Sequence, residues 1–180
     1  ARVGDVIVVT GELGGSLLGR HARFVPRVDE ALAIARGYSP HAMIDISDGL
    51  ASDLAHVCIE SGVGAVIEGA RVPTSPDAVK MSKADPPQAG APVDHALNDG
   101  EDFELLATMS ESDAARLAAD VGPAGFWTSA RVGPDEFGIP VCFVIGGSPR
   151  AVRRRCSSIS ASSILRRIAV VSVVVCEGRH

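Results

Sequence analysis

The feature that most constrains this chain is a change of hydrophobic period between residues 42 and 62. Ala42-Met43-Ile44 reads as the apolar end of a short buried strand. Leu50, Leu54, Val57 and Cys58 then recur at i, i+4, i+7 and i+8, the stripe of an amphipathic helix that Gly62 stops. Between the two lies Asp45-Ile46-Ser47-Asp48-Gly49-Leu50. That junction sets two carboxylates, a hydroxyl and unsatisfied backbone N–H groups at a helix N-terminus. Its partial positive charge draws anions, and acids there can also hold a divalent cation. Two readings follow: Ser47 or Asp48 simply caps the helix, or the junction is an ion or phosphate site.

The rest of the chain alternates in the same way. Val6-Ile7-Val8-Val9 is a β-branched run expected to form a buried strand. Gly11 to Ser16 then turns into a helix beginning near Ser16. This turn lacks G-x-G-x-x-G spacing, so Gly14 and Gly15 point to close backbone approach rather than to a dinucleotide. Val28 to Ala35 predicts a short helix with Leu32 and Ala35 inward, and Gly64 to Glu68 a strand. The stretch 72–98 holds Pro73, Pro76, Pro86, Pro87 and Pro92. It reads as a long loop with one short helix near Pro76 to Lys83, a lid or a wall of a site. Asn98-Asp99-Gly100-Glu101-Asp102 is a tight acidic turn leading into a strand from Phe103 to Thr108. Ser110 to Val121 predicts a helix capped by Ser110 or Ser112 with Leu117 inward, and Val141 to Ile145 a last strand. The expected fold class is α/β: a mixed sheet covered by helices, with no internal repeat.

Charge narrows the partners. Seven arginines beyond Ser148 (150, 153, 154, 155, 166, 167 and 179) face Glu177 alone, so the net charge of −5 leaves the preceding body strongly acidic. An acidic body argues against nucleic acid and suits carboxylates offset by bound metal. Cys58, Cys142, Cys156 and Cys176 form no C-x-x-C pair, so neither a disulfide framework nor a zinc site is expected, and a cytoplasmic location fits. Ile168 to Val175 is too short to span a bilayer. Arg20, His21, Arg23 and Arg27 read first as solvated surface and second as anion steering. His56, three positions after Asp53, reads first as an ordinary helix residue and second as a metal ligand.

Three collinear segments carry a family resemblance: Gly4-Asp5-Val6-Ile7-Val8-Val9-Thr10-Gly11-Glu12-Leu13-Gly14-Gly15-Ser16, Met43-Ile44-Asp45-Ile46-Ser47-Asp48-Gly49-Leu50, and Gly100-Glu101-Asp102-Phe103-Glu104-Leu105-Leu106. In order and spacing they resemble thiamine-monophosphate kinases, of the superfamily that includes aminoimidazole ribonucleotide synthetase. The resemblance covers roughly residues 1–147 and implies that superfamily's C-terminal domain. It further implies transfer of the ATP γ-phosphoryl group to thiamine monophosphate. Asp45 and Asp48 would be Mg²⁺ ligands, Ser47 would contact ATP, Glu101 would contact the thiamine phosphate, and no residue acts as general base. Asp102 would orient backbone or act indirectly. Family members add an N-terminal domain, through which they form homodimers, and an aromatic residue near the substrate that Trp127 does not match. Residues 148–180 form a divergent basic, serine-rich tail. The chain is therefore expected to be half of a kinase, inactive alone. A non-catalytic nucleotide- or anion-binding module, another ATP-dependent member of the superfamily, and an incomplete product without function are the alternatives.

Overall fold

In the computed structural model the described residues are 1–84 and 90–121, together with the backbone of 126–134 and 141–144. Six strands form one sheet: β1 (Val6–Thr10), β2 (Ala42–Ile46), β3 (Val63–Glu68), β4 (Glu104–Met109), β5 (Phe126–Pro134) and β6 (Val141–Val144). Their order is β2-β4-β1-β5-β3-β6, antiparallel throughout except for the parallel β3–β6 pair. The five α-helices described are α1 (Val28–Gly37), α2 (Leu50–Ser61), α3 (Pro76–Ala84), α4 (Pro92–Asn98) and α5 (Glu111–Val121). None of them is long and apolar enough to cross a membrane.

Strand β1 shows why the sheet needs helices on both faces. All five of its residues are buried, and its period of two divides them between two cores. Ile7 and Val9 join Leu50, Leu54, Val57 and Cys58 of α2, Ile67 of β3 and Ala96 and Leu97 of α4. Val6 and Val8 instead meet Ile34 of α1, Ala107 and Met109 of β4, and Ala114 and Leu117 of α5. The stripe expected of α2 is thus the buried one. The helix ends at Gly62 in the left-handed region (φ 64°), whose N–H bonds the carbonyls of Cys58 and Ile59.

Four expectations are corrected. Strand β5, hydrogen-bonded between β1 and β3, is absent from the expected elements; Thr128 to Arg131 interrupts any apolar run there. The helix expected from Ser16 is a single 3-10 turn, Ser16–Leu18, set between two glycines of positive φ. In α1 the inward residue is Ile34, with Tyr38 packed on the same core, while Leu32 is 43% exposed and Ala35 is also exposed. At 100° per residue, Leu32 points away from the face that Ile34 buries. Finally, the stretch 72–98 holds a second helix: the one expected near Pro76 to Lys83 is present as α3, and Pro92 opens α4 as well, each proline standing where its missing N–H would be unbonded in any case. Ile145 and the tail 148–180 lie outside the described residues, as do Cys156 and Cys176.

Candidate functional site

The site grows from the C-terminal end of β2. Ile46 is fully buried and anchors the strand, so Asp45 on the opposite side of the pleat is exposed, with Asp48 exposed beyond the half-buried Ser47. Neither Ser47 nor Asp48 caps α2. The N-cap is Gly49, which makes no side-chain cap bond. Asp53, one turn inside the helix, reaches back instead and accepts the N–H groups of both Ser47 and Asp48, each at 3.0 Å. The capping reading of the junction is overturned. Among the described residues, the side chains of Asp45, Ser47 and Asp48 have no protein partner and face outward.

The acidic turn after α4 is laid directly on this junction. Glu101 N–H donates to the Ser47 carbonyl at 2.7 Å, and Phe103 N–H to the Ile46 carbonyl at 2.8 Å. A β-carbon on Gly100 would stand 2.7 Å from the Ser47 carbonyl oxygen, so only glycine permits this approach. Glu101 and Phe103 both adopt positive φ, 53° and 52°, which is costly for non-glycine residues and concentrates at functional sites. The segment bearing Asp45, Ser47 and Asp48 and the turn bearing Glu101, more than fifty residues apart in sequence, therefore lie side by side, with the three acids exposed.

Residues of the same turn hold the glycine-rich loop. Buried Asp102 accepts the Gly14 N–H at 2.9 Å and pairs with Arg20. Asp99 accepts the Gly15 N–H at 3.0 Å, and Ser16 Oγ donates to the Gly100 carbonyl at 2.6 Å. Arg27 grips buried Glu104 through two bonds, Nε to Oε2 at 2.8 Å and Nη2 to Oε1 at 2.9 Å, and Thr10 Oγ1 donates to Glu104 Oε2 at 2.6 Å. Arg20 and Arg27 are thus structural partners of buried acids rather than solvated surface. Arg23 is exposed and donates to the Gly19 carbonyl.

Acidic groups crowd one another here. Burial raises the Asp53 carboxyl above its usual range, the two N–H bonds oppose this, and the neighbouring Asp48 and Asp45 carboxylates raise it further. Ligand atoms of Asp48, Asp53 and His56 lie within 4.8 Å of one another. Asp53 is not among the site residues read from the sequence; it stands in the first turn of α2, a position usually read as dipole complementarity.

Burial also pushes the Asp102 carboxyl up to about 6, against the pull of the Gly14 N–H and of Arg20. The folded chain therefore binds this proton more tightly than an unfolded one, whose aspartate titrates near ~3.9. The corresponding stability is fully present below about pH 4 and is lost as pH rises through about 6. Urea unfolding across that range should show a decline on the order of 2–3 kcal/mol from this group, absent in Asp102→Asn.

No protein-family profile matches the chain. Among curated relatives, the thiamine-monophosphate kinase of Rhodopirellula baltica is 37% identical over 158 residues, 81% of this chain and 49% of the relative. That of Methanospirillum hungatei is 39% identical over 134 residues, 69% of this chain and 43% of the relative. The chain is a homologue of the thiamine-monophosphate kinases. It spans about half the length of the curated relatives it matches. The crystal structure of thiamine monophosphate kinase from Aquifex aeolicus matches with a TM-score of 0.63 at 29% identity, over 82% of this chain and 52% of that one. AaThiL complexed with AMPPCP and TMP matches at 0.65 and 27%, over 79% and 48%. Escherichia coli HypE, a hydrogenase maturation protein, shares the fold with a TM-score of 0.59 at 17% identity, over 79% of this chain and 46% of that one. The fold is that of the aminoimidazole ribonucleotide synthetase-like superfamily.

Proposed function

We propose that this chain supplies the C-terminal domain of a kinase that phosphorylates thiamine monophosphate to thiamine diphosphate, with ATP as donor. Residues 1–147 would form that domain and 148–180 a separate tail. The single observation that carries the reading is the close approach of the segments bearing exposed Asp45, Asp48 and Glu101 and half-buried Ser47, built by backbone bonds from Glu101 to Ser47 and from Phe103 to Ile46. The choice of substrates is supported by the kinase homology and by the complex of AaThiL with AMPPCP and TMP.

The chemistry asks little of a base. The nucleophile is a phosphate oxygen whose second pKa is about 6, so it is largely deprotonated at neutral pH. Two polyanions must instead be aligned and their repulsion offset. Asp45 and Asp48 would hold Mg²⁺: both offer exposed, hard carboxylate oxygens, and Asp48 lies within 4.8 Å of ligand atoms of Asp53 and His56, which could share the ion. When bound, Mg²⁺ supplies positive charge between the phosphates. Ser47 would hydrogen-bond ATP, Glu101 would contact the thiamine phosphate, and Asp53 keeps the 47–48 backbone fixed so that both side chains stay turned outward.

Calorimetric titration with thiamine monophosphate and Mg²⁺ tests the substrate assignment. Glu101→Gln should weaken binding about tenfold, the order expected when one exposed carboxylate beside a cationic, metal-bound substrate is neutralised. Unchanged affinity would remove Glu101 from the site.

A further inference from the structure

Two aromatic rings stand beside the site and have no place in the account so far. Phe24 and Phe103 stack with ring centroids 4.3 Å apart and planes inclined by 28°. Phe24 is 41% exposed, an unusual state for a ring held in a defined stack. Its position is enforced by neighbours: three residues on, Arg27 grips Glu104, the residue next to Phe103. Segment 24–27 is therefore fastened to segment 103–104 by a ring contact and a two-bond ion pair. Phe103 itself is held in the left-handed region at φ 52°, with its N–H on the Ile46 carbonyl between Asp45 and Ser47. It stands two positions from Glu101, a chain span of at most about 7 Å. A stack of two rings at the surface does not by itself offset the strain of a left-handed phenylalanine. Such strain persists where the ring must stand in one place.

We propose that the Phe24–Phe103 stack is the wall against which the planar, cationic thiazolium ring of thiamine monophosphate packs, selecting a ring-bearing phosphate ester over a simple one. This rests on the substrate reading given above. The complementarity is electrostatic as well as steric. Ring faces attract cations, and the exposed carboxylates of Asp45, Asp48 and Glu101 give the surroundings the opposite sign to thiazolium. Glu101 would then place its negative charge beside the cationic heterocycle that the rings hold. Phe24, the more exposed ring, is the specificity-determining residue.

The test uses the full chain with Mg²⁺ and two probes, thiamine monophosphate and ribose 5-phosphate, titrated by calorimetry. Phe24→Ala should weaken thiamine monophosphate about tenfold, as loss of one stacking face does, and Phe24→Trp should restore it. Ribose 5-phosphate should bind weakly and equally to all three proteins. Thermal unfolding of each variant reports on folding separately, and Phe24→Leu keeps the bulk without the π-face. If Phe24→Ala and Phe24→Leu bind thiamine monophosphate as the parent does, while Glu101→Gln does not, the wall is wrong and the substrate reading stands. If the parent takes no thiamine monophosphate at millimolar concentration, both fall.

Discussion

Replacing Gly14 with alanine is expected to remove about 4 kcal/mol of stability, a large part of what a domain of this size possesses. A β-carbon there would stand 2.5 Å from the Ala96 backbone nitrogen and 2.7 Å from its α-carbon, and the residue has φ 83°. Backbone cannot swing aside as a side chain can, so α4 must move. That movement would also pull at the Asp102–Gly14 bond and the Asp99–Gly15 bond, which tie this loop to the turn bearing Glu101. Gly62→Ala is the control: its φ of 64° is similarly unfavourable, but nothing lies within 4 Å. It should cost only about 1 kcal/mol. Urea unfolding of both variants separates close approach from backbone conformation.

Arg27→Met should cost about 3 kcal/mol, because it leaves the Glu104 carboxylate buried with only the Thr10 hydroxyl as side-chain partner. Arg27 is 32% exposed and Glu104 only 7%, so the penalty comes from the abandoned acid rather than from the lost attraction. Adding Glu104→Gln should therefore recover part of the loss, and a double-mutant cycle by urea unfolding measures the coupling. The pair also fastens Phe24 beside the site, so the single variant should weaken thiamine monophosphate binding as well.

How far the sequence alone could go is visible in particular residues. The α2 stripe was legible because four apolar residues share one face and a glycine follows them. Strand β1 was legible as an unbroken β-branched run, which is what burial on both faces demands. Asp45, Ser47, Asp48 and Glu101 were proposed from their motifs by resemblance, and a backbone bond from Glu101 to Ser47 sets the two segments side by side. Strand β5 was not legible, nor was α4, whose opening proline looks like a loop residue until it is placed at the first helical position. Leu32 misled because hydrophobicity alone does not choose a helix face. The ion pairs were hidden by distance along the chain: Arg27 and Glu104 are separated by 77 residues, and Arg20 and Asp102 by 82. Asp53 was hidden differently, since no sequence rule gives an acid inside a helix the task of holding the two backbone groups before it.

The Asp45–Asp48 junction is proposed to hold a divalent cation against nucleotide phosphates. Titration of the chain with the non-hydrolysable ATP analogue AMPPCP, with Mg²⁺ and with EDTA, in the parent and in Asp45→Asn and Asp48→Asn, tests this. Binding should require Mg²⁺, and each substitution should weaken it at least about tenfold. Binding that is equal with and without the metal, and unchanged in both variants, would contradict it.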